Sequence, residues 1–206
     1  MESKKVLIIS DILPSKFMTA GNVLSLLHEE ISNEQEIIYI CLHNIELKYL
    51  VFEQIGSQSV YFFERPVENW NLKYRVSIFS KAINLIGELL SVRDSIFMSR
   101  EIIKIINREN PATVLHVIES KTSIQVSNRV LNQKFLKSIN IGVYWDPIEW
   151  WIKSRKTNLV ISKYLILLNK KNILNYDKII APSDNMKNYL INIGAKSVET
   201  MYPFYE

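Results

Sequence analysis

Lys5-Val6-Leu7-Ile8-Ile9-Ser10-Asp11-Ile12-Leu13-Pro14-Ser15 is followed by Lys16-Phe17-Met18-Thr19-Ala20-Gly21-Asn22 and then by Val23-Leu24-Ser25-Leu26-Leu27. A short apolar run closes on Ser10-Asp11. A loop with Pro14 comes next, and helical spacing begins at Val23. A continuous apolar run bounded by turn residues suits a strand buried on both faces. Strand, loop and helix form the first half of a βαβ unit. In such sheets ligands gather at the carboxyl ends of the strands. That places Ser10 and Asp11 among candidate ligand-binding residues. Gly21-Asn22 is expected to open the helix, where unpaired backbone N–H groups favour an anion.

The same grammar recurs along the chain. Segments 36–42, 59–63, 113–118, 139–145, 177–181 and 197–202 read as strands, and helical spacing fills most of the intervals. Segment 45–55 is expected to be a short helix ending near Gly56. Two helices are expected over 72–107, broken near Arg93-Asp94 and stopped by Pro111. Helices are also expected over 123–138, from about 157 to 174, and through Met186 to Gly194. About seven strands alternating with helices predict a doubly wound α/β fold with a mainly parallel sheet and helices on both faces. With 206 residues, no repeat and no low-complexity tract, one domain over 1–206 is the expected organisation.

Composition removes several function classes. The single cysteine, Cys41, excludes a disulfide framework and a thiolate metal site, and points to a reducing, cytoplasmic setting. The basic pair Lys4-Lys5 precedes only four apolar residues, too few for a signal peptide. No run approaches the roughly 20 apolar residues of a membrane span. A net charge of +4 with no recognisable motif gives no reason to expect nucleic acid as a partner. The basic stretches Lys153-Ser154-Arg155-Lys156 and Lys170-Lys171 are read first as a solvated helix face. The second reading is an amphipathic contact with the inner face of a membrane.

Four stations of the sequence resemble the amino-terminal domain of GT-B glycosyltransferases of the family-4 type. They are the opening strand and its glycine; Asn110-Pro111-Ala112-Thr113-Val114-Leu115-His116-Val117-Ile118-Glu119; Gly142-Val143-Tyr144-Trp145-Asp146-Pro147; and Asp177-Lys178-Ile179-Ile180-Ala181-Pro182-Ser183 with Met186, Leu190, Gly194 and Tyr202-Pro203. They span nearly the whole chain. The resemblance implies polysaccharide, glycolipid or glycoprotein glycosylation, with sugar moved from a nucleotide-sugar to an acceptor hydroxyl, with retention. It implies no metal and no cofactor beyond the donor substrate. The donor would sit mainly on a carboxyl-terminal domain or partner chain absent from this sequence, so the chain alone would be inactive. Its partners would be that donor-binding unit and a saccharide or lipid-linked acceptor.

Many relatives carry a second histidine where this chain has Ile118, and often a histidine where it has Trp145. The catalytic role therefore falls to a strand-end carboxylate, Glu119 or Asp146, able to polarise a hydroxyl. Gly21 and Asn22 would face the donor phosphates. Ser10, Asp11, Trp145, Glu149 and Ser183 are the candidate substrate contacts, and Trp150-Trp151 a candidate stacking surface. His116, inside an apolar strand, is read as a core residue. Two other readings stand beside this one: a non-catalytic subunit of a split transferase, and a binding module of flavodoxin-like form.

Overall fold

The computed structural model describes residues 5–14, 19–43, 59–64, 78–133, 137–154 and 158–201. Seven strands are found there: β1 (Lys5–Ser10), β2 (Glu36–His43), β3 (Ser59–Glu64), β4 (Thr113–Ile118), β5 (Ile139–Tyr144), β6 (Lys178–Ala181) and β7 (Val198–Thr200). They form one sheet, ordered β3-β2-β1-β4-β5-β6-β7, and every neighbouring pair is parallel. The helices are α1 (Thr19–Ser32), α2 (Ile78–Glu109), α3 (Lys121–Leu131), α4 (Ile148–Ser154), α5 (Leu159–Asn175) and α6 (Asp184–Ile193). The expected doubly wound α/β fold is present. The strand order is that of a dinucleotide-binding fold and not the 2-1-3-4-5 order of flavodoxin-like sheets.

Alternation along the buried strands sends side chains to two apolar layers. Val6, Ile8, Tyr39, Leu115, Val117 and Val143 meet Leu24 and Leu27 of α1 on one face. Leu7, Ile9, Ile38, Ile40 and Val114 meet Met98, Ile102 and Ile106 of α2 and Val126 and Val130 of α3 on the other. A third cluster joins Ile118, Tyr144 and Ile179 to Leu165 and Ile173 of α5 and Met186 and Leu190 of α6. The apolar runs that marked the strands are therefore the residues that hold helices on both faces.

α3 is submerged: residues 121–128 and Val130 are all buried. Its buried polar groups find partners, as they must. Asn128 Nδ2 donates to Asn172 Oδ1 at 2.8 Å, and Asn172 Nδ2 donates to the Ile124 carbonyl at 2.9 Å. These bonds fix α3 against α5. Tyr144 donates its hydroxyl to Asn169 Oδ1 at 2.8 Å, tying β5 to the same helix. His116 is fully buried, as read from its strand. Asn140 Nδ2 donates to the Ser138 carbonyl, which turns Asn140 Oδ1 toward the imidazole at 3.1 Å. His116 Nε2 is therefore the protonated nitrogen, and Nδ1 accepts from Ser127 Oγ at 3.1 Å. Gly142 pairs with His116 in the ladder. A Cβ there would lie 2.8 Å from the Tyr176 ring, so glycine is what lets that ring cross the strand.

Several expectations need correction. The break at Arg93-Asp94 does not occur: α2 runs unbroken for 32 residues. Arg93 is exposed and Asp94 half-exposed, and they bridge each other, so the polar pair marks the solvent side of a continuous helix. Ser95 and Ser99, both fully buried, return their hydroxyls to the carbonyls one turn back, which satisfies them inside it. α1 begins at Thr19 and not at Gly21, so Gly21-Asn22 sits within its first turn. α3 starts two residues earlier than expected because Ser120 and Ser123 form a capping box, and it ends at Leu131. α4 was not anticipated at all. The expected helix at 45–55 and the Tyr202-Pro203 station lie outside the described residues. α5 buries Ile161, Leu165 and Ile173 while Leu159, Val160 and Leu167 are 66–70% exposed, beside the exposed Lys170 and Lys171. Among the described residues no helix is long and apolar enough to cross a membrane.

Candidate functional site

The register of the sheet decides what meets at its carboxyl edge. Ile118 pairs with Tyr144, so β4 and β5 end level, with Glu119 and Trp145 next in the chain. Val143 pairs with Ile180, so Trp145-Asp146 and Pro182-Ser183 leave β5 and β6 together. Pro147 then turns the chain into α4, whose short span carries Glu149 and Trp150 back over the edge. Ser183 caps α6: its hydroxyl accepts from the Met186 N–H at 3.2 Å. Gly194, at φ 111°, closes that helix in the left-handed conformation.

These elements enclose a cleft of about 510 Å³. Trp145, Asp146, Glu149, Trp150, Ser183 and Tyr189 line it, with Pro147, Asn185 and Met186 completing the wall. The volume lies within the range of small-molecule sites. Asp146 is exposed at its mouth. Trp150 is 69% exposed, a large apolar ring left in water beside the opening. Tyr189 donates its hydroxyl to Glu149 Oε2. Burial raises the Tyr189 pKa and the bond to Glu149 raises it further, so the phenol stays a donor across the physiological range. Trp145 Nε1 is buried with no acceptor among the described residues.

No protein-family model and no curated protein matches the chain.

Five residues singled out from the sequence, Trp145, Asp146, Glu149, Trp150 and Ser183, line this one cleft. Ser10, Asp11, Gly21, Asn22 and Glu119 are not among its lining residues. Ser10 ends β1 with Asp11 just beyond it, and Glu119 directly follows β4, at the point where the strand order reverses. Ser10 Oγ accepts from the Ile12 N–H at 3.3 Å and so serves the turn. Asp11 is buried, with its carbonyl 3.9 Å from the Cys41 thiol. Glu119 is half-buried, and its N–H donates to Ser123 Oγ at 3.1 Å. Gly21 is buried and accepts from Ser25 Oγ, whereas Asn22 is exposed. Both lie in the first turn of α1. Among the described residues no group of three or more histidine, cysteine or carboxylate side chains is placed to hold a metal.

Tyr189, Met186 and Asn185 were not anticipated as site residues. Their helical spacing identified a helix, and Met186 does pack in the core. The available signal was their distance from Ser183: in the first two turns of a helix that begins at a strand end, side chains overhang that end.

Proposed function

We propose that the chain is the acceptor-side domain of a nucleotide-sugar-dependent glycosyltransferase. The observation that carries this reading is the cleft beyond β5 and β6, where three aromatic rings, two carboxylates and a hydroxyl meet. Flat aromatic faces pack against the apolar faces of pyranose rings, and carboxylates accept the sugar hydroxyls. The sequence places those residue types at or just beyond strand ends, and the fold gathers five of them into one wall. In the reaction the acceptor hydroxyl oxygen bonds to the anomeric carbon and the nucleoside diphosphate leaves. The hydroxyl proton passes to a carboxylate. Asp146 fits that part best, being exposed at the mouth of the cleft. Glu119, two strands from β6 on the same edge, is the alternative. The donor would come from a second domain or chain. A non-catalytic subunit of a split transferase would bind saccharide equally and differ only in what it recruits.

Calorimetric titration tests this. Short oligosaccharides should bind the chain, and Trp150→Ala should weaken them at least tenfold, about 1.4 kcal/mol. Nucleotide-sugars should bind more weakly than saccharides. Tight nucleotide-sugar binding with saccharide affinity indifferent to Trp150→Ala would refute the assignment.

A further inference from the structure

The charge of the cleft is opposite to that of the molecule. The chain carries a net +4, yet the ionisable side chains of the cleft include Asp146 and Glu149 and, among the described lining residues, no lysine, arginine or histidine. Three rings, Trp145, Trp150 and Tyr189, share the wall with them. Aromatic faces carry negative quadrupolar charge and attract cations, most strongly where a carboxylate stands nearby. Among the described lining residues the feature that would most favour an anion is the amino end of α6. Asp184 already occupies its first turn, and the Ser183 hydroxyl takes the Met186 N–H. Tyr189 engages one oxygen of Glu149 and leaves the other able to accept. A phosphate or uronate placed here would meet two carboxylates and, among the described lining residues, no countercharge. An ammonium would meet two carboxylates and the ring faces.

We propose that this cleft selects a protonated amine, so that the saccharide bound here is an amino sugar. The inference rests on the acceptor reading above and names the substrate class of the same site. The aromatic wall supplies the platform for the sugar ring. Asp146, exposed at the mouth, supplies the countercharge, and Glu149, held by Tyr189, the second acceptor.

The test is a set of four methyl glycosides titrated into the 206-residue chain. They are the glucosaminide, its N-acetyl derivative, the glucoside and the glucuronide. Thermal melts confirm that each variant is folded. The glucosaminide is expected to bind at least tenfold more tightly than the N-acetyl and neutral glycosides, and the glucuronide most weakly. Asp146→Asn should cut that preference by about threefold or more, Glu149 and the rings supplying the remainder, and raising salt should lower it progressively. Equal affinity for the charged and neutral glycosides, or a preference for the glucuronide, overturns the inference while leaving the acceptor reading standing. If none of the four binds, both fall.

Discussion

Lys121→Met is expected to cost about 3–5 kcal/mol of folding stability, measured by urea or guanidinium unfolding. Lys121 Nζ lies 3.2 Å from Glu88 Oε1, with the two side chains only 5% and 12% exposed. The pair joins the middle of α2 to the first residue of α3. Glu88 Oε1 also lies 3.5 Å from the backbone N–H of Asn158, the cap of α5. Three helices are thus referred to one carboxylate. Removing the lysine leaves a nearly buried anion without its cation, which is the costly way to break such a pair. The double variant Lys121→Met with Glu88→Met should recover most of the loss, because two apolar side chains need no countercharge. A surface pair would cost under about 1 kcal/mol and show no such rescue. That result would mean that water reaches the pair. Lys121 follows Glu119-Ser120, so the pair also anchors the segment that positions Glu119 at the sheet edge.

The second large effect is a loss of stability in acid traceable to His116. Burial holds its pKa down at about 4, against an ordinary value near 6.5, and the bond to Asn140 offsets only part of that. The sign follows from proton uptake. Below pH 6.5 the unfolded chain takes up a proton that the folded chain refuses, so stability falls as pH falls. The contribution is fully present above about pH 6.5 and is lost down to about pH 4, reaching about 3 kcal/mol. His28, whose pKa is also lowered by burial, acts in the same direction. The wild type must therefore be compared with His116→Gln, since His28 and the carboxylates titrate in both. The wild-type stability should drop more steeply than the variant's between pH 6.5 and 4. Parallel curves would show that His116 is hydrated and charged in the folded protein.

Much of this fold is legible in the chain because burial on both faces leaves a mark on composition. Val6-Leu7-Ile8-Ile9 and Val114-Leu115-His116-Val117-Ile118 can be read as strands without knowing what covers them. Their ends are equally plain, since a polar residue follows each run directly. That is why Trp145, Asp146 and Ser183 could be named as site candidates in advance. Three things were hidden. The continuity of α2 was hidden because the polar pair Arg93-Asp94, set between two apolar stretches, looks like a break until it is seen on the solvent side of one continuous helix. α4 was hidden because a seven-residue helix is too short to show a period. The cleft itself was hidden because it depends on the lateral order of the strands. Only the pairing of β5 with β6 brings Trp145-Asp146 beside Pro182-Ser183. Tyr189 and Met186 show the same limit, for periodicity reports which face of a helix is apolar and not which strand end it overhangs.

The central claim is that a saccharide binds beyond β5 and β6, and not at the reversal of strand order between β1 and β4 where dinucleotide-binding sheets usually hold their ligands. The most direct measurement is protein-observed NMR with the backbone amides and the four tryptophan indoles labelled, during titration with the saccharide that binds best. The account predicts shifts concentrated on the Trp145 and Trp150 indoles and on the amides of Asp146, Ser183 and Asn185. Shifts centred instead on Ser10, Asp11, Gly21 and Glu119, with the two indoles unmoved, would contradict it and place the ligand at the strand-order reversal.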